Sequence, residues 1–194
     1  MTFISVFNRT FDLVFLVDGT RGVTDENFRS GLRFARNLAK VFNRGITRTG
    51  LVIYAEEPET VIDLTDQLSL TEANISSVKY LNQIKRNTGY ALNYTKVSVF
   101  DKGGRSGIPK VLVVLEGDSS SDGIDEISQV YSTSGFHVFG VGNGNQLAQG
   151  QLKEISSRPS SHYYSAIGYS ALHLDSFVQT MRVSIATGEN KDYR

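Results

Sequence analysis

Three stretches of the chain are almost continuously apolar, and each is short enough to form a strand. They are FDLVFLVDG (11–19), PKVLVVLEGD (109–118) and FHVFGVGNG (136–144). Apolar residues without polar alternation are typical of strands that are buried on both faces of a sheet. The first of these strands is expected to lie at the centre of the sheet, and the shorter HYYSAIG (162–168) predicts a further strand.

Segments with helical periodicity separate these strands. In TDENFRSGLRFARNLAKVF (24–42), Thr24 is a suitable N-cap, acidic residues follow in the first turn, and apolar residues recur at helical spacing. Further helices are predicted for 71–100 (two helices, divided near KRNTG), 123–135, 150–158 and 170–187. In the last of these, four apolar residues are expected to pack against the sheet: Leu172, Phe177, Met181 and Ile185.

The segment TGLVIYAEEPETVIDLTD (49–66) differs, because two β-rich runs are joined by a short acidic turn that contains proline. This pattern is typical of a hairpin and introduces an antiparallel edge strand. Elsewhere strands and helices alternate, which favours an α/β fold with a doubly wound, mostly parallel central sheet and helices on both faces. We expect one domain over 11–187, preceded by an N-terminal extension (1–10) and followed by a polar tail (188–194).

Composition disfavours several classes of partner and site. The formal net charge of the 194 residues is 0, which gives no support for nucleic acid or an anionic membrane as a partner. No apolar run is long enough for membrane insertion, and the first residues do not resemble a signal peptide. Cysteine is absent, which excludes disulfides and thiolate chemistry. Candidate N-glycosylation sequons, which favour a secreted chain only weakly, begin at Asn8, Asn74 and Asn93.

Ligands of doubly wound folds bind at the carboxyl ends of the strands. Four segments should share this edge of the sheet, which we call the rim: DGTRG (18–22), KRNTG (85–89), EGDSSSD (116–122) and GVGNGNQ (140–146). The serines of EGDSSSD are predicted to be solvated turn residues. Because Asp18 ends a buried strand, a metal, a phosphate or a proton is a candidate partner for its carboxylate.

Phosphate chemistry is one alternative for the rim. VDGT (17–20) resembles the signature of haloacid-dehalogenase-type phosphatases, but Leu16 stands where their nucleophilic aspartate would be, and leucine cannot form an aspartyl phosphate. No P-loop is present, and GVGNGN does not complete a dinucleotide-binding motif. The histidines are interpreted as ordinary, partly buried residues: His137, His162 and His173. A phosphate-handling enzyme is therefore a disfavoured alternative, and no catalytic residue is assigned.

The order of the segments resembles the von Willebrand factor type A domain over nearly the whole chain, residues 11–187. The resemblance is carried by DLVFLVDGTRG and the helix after it, the hairpin, NTGYAL, GIPKVLVVLEGDSSSD, FHVFGVGNG and LKEISSRP. It is greatest to extracellular-matrix members such as those of collagen type VI and the matrilins. The resemblance implies a secreted, non-enzymatic interaction or scaffold module of the extracellular matrix. Collagens, other matrix proteins or neighbouring A-type domains are the implied partners.

The same resemblance implies a metal-ion-dependent adhesion site at the rim, where the family supplies oxygen ligands from Asp-x-Ser-x-Ser, a threonine and the aspartate of Thr-Asp-Gly. Carried over to this sequence, the five ligand positions are Asp18, Thr20, Gly22, Arg86 and Gly117. Only Asp18 and Thr20 retain a side-chain oxygen, and Arg86 brings a positive charge. We therefore expect a degenerate site that needs no cofactor, with Asp18 accepting hydrogen bonds from turn amides and pairing with Arg86 or Arg21.

A rebuilt metal site is the alternative within the same family. Asp18, Thr20 and Asp118 would then hold Mg²⁺ or another divalent cation weakly, with Arg86 turned aside. In either case the ligand-binding rim is predicted to comprise Asp18, Thr20, Arg21, Arg86, Glu116 and Asp118. The last helix is expected to be locked, because a metal-driven switch needs an effector that distinguishes two states.

Overall fold

The computed structural model describes residues 10–42, 47–65, 70–142, 146–157, 162–165, 169–172 and 175–187. The polar tail, and the N-terminal extension apart from its last residue, lie outside the described residues. The strands are β1 (Asp12–Asp18), β2 (Arg48–Tyr54), β3 (Pro58–Thr65), β4 (Lys110–Glu116), β5 (His137–Gly142) and β6 (Tyr163–Ser165).

The helices are α1 (Asp25–Phe42), α2 (Glu72–Ser77), α3 (Thr88–Tyr94), α4 (Asp101–Gly103), α5 (Asp125–Thr133), α6 (Gln146–Ile155) and α7 (Asp175–Thr187). A π-helical segment, Thr95–Phe100, joins α3 to α4 without a break. Short 3₁₀ turns are formed by Arg21–Val23 and Tyr169–Ala171. Thr24 is the N-cap of α1 as predicted, since its Oγ1 accepts a hydrogen bond from the backbone N–H of Asn27 at 3.4 Å.

The six strands form one sheet in the order β3-β2-β1-β4-β5-β6, and β1 is parallel to both of its neighbours. Leu16 pairs with Val52 on one side and with Val114 on the other, and it is fully buried. The central position predicted for this strand is therefore confirmed. The hairpin is confirmed as well, because β3 is antiparallel to β2 and forms an edge, with the turn between Tyr54 and Pro58.

Helices cover both faces of the sheet, because alternate residues of each strand face opposite sides. On β1, Leu13, Phe15 and Val17 belong to a core shared with α1 and α7. Val14 and Leu16 belong to a second core, which includes side chains of α3, α5 and α6. This two-sided burial explains the uninterrupted apolar run of β1, and it confirms the doubly wound α/β fold.

The first helix within 71–100 is shorter than predicted, since α2 ends at Ser77 and residues 78–87 are not helical. The hydroxyls of the last two serines donate back to carbonyls of the preceding turn, a bonding that competes with helix continuation. Beyond them, Arg29 of α1 donates to the carbonyl of Val78 at 2.6 Å. The sequence pattern predicts that the helix continues beyond Ser77, but this tertiary contact holds the chain in a non-helical path there.

The last helix begins at Asp175, five residues later than predicted, so that Leu172 lies in the turn before it. The four apolar residues predicted to face the core are buried or half-buried: Leu172, Phe177, Met181 and Ile185. Their neighbours include α1 as well as the sheet, because the ring of Phe177 lies 5.5 Å from that of Phe34. The helix α6 also differs from its predicted bounds, since it begins four residues earlier, at Gln146.

Candidate functional site

The rim is formed where β1 and β4 end side by side. Asp18 is the last residue of β1, Glu116 is the last residue of β4, and both are almost fully buried. The segment before α3 lies beside the loop after β1, where the N–H of Arg21 donates to the carbonyl of Gln83 at 2.8 Å. The predicted segments DGTRG, KRNTG and EGDSSSD therefore meet, because parallel strands end at the same edge of a sheet. Of GVGNGNQ, residues 143–145 lie outside the described residues.

Asp18 accepts hydrogen bonds at both carboxylate oxygens. Its Oδ1 accepts from the N–H of Thr20 at 2.9 Å, and its Oδ2 accepts from the N–H of Gly117 at 3.1 Å. The Nε of Arg86 also donates to Oδ2, at 2.5 Å. A carboxylate buried without partners costs several kcal/mol, so these contacts allow Asp18 to lie inside the fold. The predicted bonding to turn amides and the predicted pairing with Arg86 are both present.

Arg86 connects three parts of the rim. Beside its contact with Asp18, its Nη2 donates to Oγ1 of Thr20 at 2.6 Å, and its Nη1 donates to the carbonyl of Ser119 at 3.3 Å. Burial alone would lower the pKa of Arg86, but the charge of Asp18 and the hydrogen bond to it raise that pKa above its ordinary value. The guanidinium is therefore a fixed positive charge at a position where the family resemblance implies a metal ligand.

The serines after β4 hold Arg86 and the start of α3 in place, which the sequence interpretation missed. The backbone N–H of Arg86 donates to Oγ of Ser121 at 3.2 Å, and the N–H of Ser121 donates to the carbonyl of Arg86 at 2.6 Å. The N–H of Thr88 donates to Oγ of Ser120 at 3.0 Å. Ser120 thus satisfies one of the free N–H groups at the start of α3, and the prediction of merely solvated turn residues is wrong for it.

Asp122 completes this cap from the same loop. Its two carboxylate oxygens accept hydrogen bonds from the N–H groups of Gly89 and Tyr90, at 2.9 and 2.8 Å. The approach is close, because a Cβ on Gly89 would overlap the carbonyl oxygen of Gly123. A negative charge at a helix N-terminus is stabilising. No local sequence rule joins residues that are more than 30 positions apart, so the pattern alone could not identify this cap.

The residues at the five ligand positions do not fit a divalent cation. Both positions that retain a side-chain oxygen are bound by Arg86. A Cβ on Gly22 would lie 3.2 Å from Nη2 of Arg86, so a serine there would crowd the guanidinium. A Cβ on Gly117 would lie 2.8 Å from Cγ2 of Val23, so the family's aspartate requires repacking of that side chain. The guanidinium occupies the ligands that a cation would need.

Asp118 and Arg21 take no part in the contacts described for the carboxylate of Asp18. The Oδ1 of Asp118 accepts a hydrogen bond from the next backbone N–H of its own loop at 2.8 Å. Arg21 is exposed, and its Nε donates to Oδ1 of Asn82 at 3.4 Å. Of the two arginines considered as partners of Asp18, the structure therefore selects Arg86. The arrangement that a rebuilt metal site would need, with Arg86 turned aside, is not the one observed.

Glu116 is the second buried carboxyl group of the rim. Its Oε1 accepts hydrogen bonds from the hydroxyls of Thr88 and Tyr54, the latter at 3.4 Å. Its Oε2 has no hydrogen-bond partner within the described part of the chain. Burial raises the pKa of Glu116 to about 8, and the charge of Asp18 acts in the same direction, while the hydrogen bond from Thr88 opposes them. The neutral acid is therefore the favoured form at this position below that pH.

Burial changes the predicted role of most rim residues. Four of the six residues predicted to form a ligand-binding rim are buried: Asp18, Thr20, Arg86 and Glu116. Asp18, Thr20 and Arg86 bind one another. Glu116 binds Thr88 and Tyr54 instead, so these residues shape the rim from within. Arg21 is exposed and Asp118 is half-buried, so these two remain accessible. Ile84, which the sequence interpretation did not select, is 74% exposed, and it follows Gln83, whose carbonyl accepts a hydrogen bond from Arg21.

His137 and His162 take no part in the contacts described for the rim. His162 is buried and its ring stacks on that of Phe139 with centroids 4.1 Å apart. His137 is half-buried, and His173 lies outside the described residues. The interpretation as a partly buried residue is confirmed for His137, whereas His162 is fully buried.

The chain matches the family described as von Willebrand factor type A domain over residues 12–179. The human collagen alpha-1(XXI) chain is 31% identical over 156 residues, which cover 78% of this chain and 16% of the collagen chain. Matrilin-1 of Gallus gallus is 31% identical over 159 residues, which cover 79% of this chain and 32% of matrilin-1. The solved structure of proximal thread matrix protein 1 from the mussel byssus has a TM-score of 0.80 at 17% identity, covering 92% of this chain and 48% of that chain.

The chain thus spans less than half the length of each of these proteins. The relatives are extracellular matrix proteins. Within the described ranges, no helix is long and apolar enough to cross a membrane. The match covers most of the sequence, and the mussel structure shares the fold, so the chain belongs to the von Willebrand factor type A domain family.

Proposed function

We propose that this chain is a non-enzymatic interaction or scaffold module of the extracellular matrix, and that it binds protein partners independently of a divalent metal. Its matrix relatives support a secreted location and support collagens, other matrix proteins or neighbouring A-type domains as partners. The observation that carries the metal independence is the position of Arg86, whose guanidinium contacts both Asp18 and Thr20.

A divalent cation would have to displace this guanidinium. Two unit charges 4 Å apart interact by about 4 kcal/mol at an effective dielectric constant of 20, and the value doubles when one charge is divalent. Displacement would also break the hydrogen bonds from Arg86 to Asp18, Thr20 and Ser119. An arginine supplies charge and several donors in one side chain. Arg86 therefore provides the neutralisation that a metal would otherwise bring to Asp18.

Two alternatives are disfavoured. Metal-dependent adhesion through a rebuilt site needs Arg86 turned aside, whereas its guanidinium contacts both Asp18 and Thr20. A phosphate-handling enzyme needs a nucleophile at the position of Leu16, which is an aliphatic side chain fully buried inside β1. The relatives, which are matrix proteins, support neither catalysis nor a catalytic residue.

The accessible part of the rim is the proposed contact surface for a matrix partner. Arg21 and Ile84 are exposed there. Both side chains offer apolar area to a partner, and Arg21 adds a positive charge. Arginine is enriched among the residues that dominate binding energy at interfaces. The buried Asp18–Arg86 pair would then hold this surface in shape rather than touch the partner.

The proposal is tested by measuring binding to immobilised collagen type VI and fibrillar collagen in buffer with Mg²⁺ and in buffer with EDTA. We expect the same Kd in both buffers. The double variant Arg21→Glu/Ile84→Ser is expected to weaken binding at least tenfold, which corresponds to about 1.4 kcal/mol.

The matched control is Lys102→Glu, a charge reversal at an exposed residue of α4, near the amino end of β2. This variant should bind like the wild type. Binding that is lost in EDTA would contradict metal independence. Binding to neither collagen would exclude these collagens as partners, and the same assay with an adjacent A-type domain would then decide between the remaining partners.

A further inference from the structure

The helical stretch from α3 into the π-helical segment carries two exposed apolar side chains. Tyr90 and Val97 are 44% and 48% exposed. The other large apolar side chains of this stretch are buried or half-buried: Leu92, Tyr94, Val99 and Phe100. Tyr90 lies in α3 and Val97 lies in the π-helical segment that follows it. We call these two exposed apolar side chains the α3 patch.

Asn93 lies between these two residues in sequence, within helical-neighbour spacing of each. It follows Tyr90 by three positions and precedes Val97 by four, spacings that make side chains neighbours on a helix. Asn93 is exposed, and it begins the sequon Asn93-Tyr94-Thr95. A group attached to Asn93 would thus stand directly over the α3 patch.

We propose that Asn93 carries an N-linked glycan, and that this glycan covers the α3 patch. The inference rests on the secreted location in the proposed function. In the transfer, the side-chain amide nitrogen of Asn93 forms a bond to the anomeric carbon of an N-acetylglucosamine residue. The bond from that carbon to the pyrophosphate of a lipid-linked oligosaccharide donor breaks, the nitrogen loses one proton, and the lipid pyrophosphate leaves.

The folded structure indicates that this transfer must occur before the chain folds. Thr95 is fully buried and its hydroxyl donates to the carbonyl of Ala91 at 2.8 Å, whereas Asn93 faces solvent. Residues two apart on a helix point in nearly opposite directions. A transferase that needs both side chains of the sequon can therefore act only before α3 forms. Once α3 has formed, the glycan on Asn93 projects into solvent and does not disturb the core.

The sequon at Asn74 does not have exposed apolar side chains at the corresponding neighbouring positions. Asn74 is also exposed, in α2. The residues three before and four after it are Thr71, which is polar, and Val78, which is buried. A glycan at Asn74 would therefore cover no exposed apolar side chain at these positions. The remaining sequon asparagine, Asn8, lies outside the described residues.

The test is to express the chain with a secretory leader in cultured mammalian cells and to measure its mass before and after digestion with peptide-N-glycosidase F. The variant Asn8→Gln/Asn74→Gln retains the sequon at Asn93 and should carry one glycan. Asn93→Gln should carry one glycan fewer than the wild type. Glycopeptide mapping of the secreted wild type gives a second measurement. An unmodified Asn93 in the mapped protein would overturn the proposal.

The covering role has its own measurement, which is binding of the fluorescent apolar probe ANS by the folded protein. Asn93→Gln should bind at least twofold more probe than the glycosylated wild type, and adding Tyr90→Ser/Val97→Thr should remove the difference. Equal probe binding by the wild type and Asn93→Gln would overturn the covering role. Neither measurement involves collagen or metal, so a failure here is distinguishable from a failure of metal-independent matrix binding.

Discussion

The Nε of Arg86 lies 2.5 Å from Oδ2 of Asp18, and the two side chains are only 9% and 0% exposed. At the other end of β1, Arg105 and Asp12 form a second pair of the same kind, with Nη2 and Oδ1 2.7 Å apart. One strand thus carries a buried carboxylate at each end, and each is neutralised by an arginine. Only the Asp18 pair lies at the edge where the fold binds ligands, so the Asp12 pair is a matched internal control.

Arg86→Thr removes the charge and restores a residue type that the family uses as a metal ligand. Removing one partner of a buried ion pair leaves an uncompensated charge, and the expected loss is about 3–5 kcal/mol of unfolding free energy near neutral pH. Mg²⁺ should recover part of this loss, because the guanidinium no longer occupies Asp18 and Thr20. Urea denaturation with and without Mg²⁺ measures both effects.

The control for this variant is Arg105→Thr. It should also be destabilised, since Asp12 loses its partner, but Mg²⁺ should not recover stability because this pair lies away from the rim. A wild-type protein that itself gains several degrees of melting temperature from Mg²⁺ would identify a working metal site, and it would contradict the role assigned to Arg86.

Gly117→Ala tests whether neighbouring side chains have filled the space that the family's aspartate side chain would occupy at this position. A Cβ at Gly117 would lie 2.8 Å from Cγ2 of Val23 and 3.2 Å from the hydroxyl of Tyr169, and overpacking of this kind costs about 1–3 kcal/mol. Gly123→Ala is the control, since its Cβ would meet no atom within 4 Å, and it should change stability by less than about 0.5 kcal/mol. Thermal melting of both variants measures the difference. Equal melting temperatures for Gly117→Ala and Gly123→Ala would show that the side chain of Val23 can move aside without loss of stability.

The sequence predicted those features that depend on local pattern or on the family resemblance. The apolar run of β1 indicated a central strand because burial on both faces leaves no polar alternation. The pairing of Asp18 with Arg86 could be anticipated, because Arg86 stands at a position where the resemblance implies a metal ligand. In both cases the relevant information lies within one segment or in its comparison with a known motif.

The features that the sequence did not reveal depend on tertiary contacts. Asp122 caps α3 from another loop, and Arg29 holds the chain where α2 stops. Both contacts join residues that are far apart in sequence. The burial of Glu116 is of the same kind, because its position at the end of an apolar strand does not show which neighbours will cover it. Local patterns can identify such residues as polar, but they do not identify their partners.

The last helix, α7, is predicted to remain in one state when Mg²⁺ is added. The hydroxyl of Tyr164 on β6 donates to Oγ of Ser184 on α7 at 2.5 Å, and Met181 is fully buried against the core. A cation that binds no differently to two states cannot shift their populations. NMR relaxation dispersion of the α7 amides should therefore be the same with and without Mg²⁺, and dispersion that changes on its addition would contradict a locked helix.

The stability of the protein should fall as the pH rises from about 4.5 to about 8, because Glu116 stays protonated in the fold over this range and ionises in the unfolded chain. Its folded pKa is raised by burial, so unfolding releases a proton and is favoured by higher pH. The contribution of one such group is at most about 1.4 kcal/mol per pH unit. Urea denaturation at several pH values within this range measures the slope.

Glu116→Gln isolates this contribution, because glutamine resembles the neutral acid in shape and does not titrate. The stability of this variant should depend less steeply on pH than that of the wild type, so that the difference between the two proteins changes in favour of the variant as the pH approaches 8. Glu126→Gln, at an exposed residue of α5, is the control and should keep the wild-type slope. Parallel stability curves for the wild type and Glu116→Gln would show that Glu116 is already ionised in the folded protein, in which case its Oε2 must have a partner that compensates the buried charge.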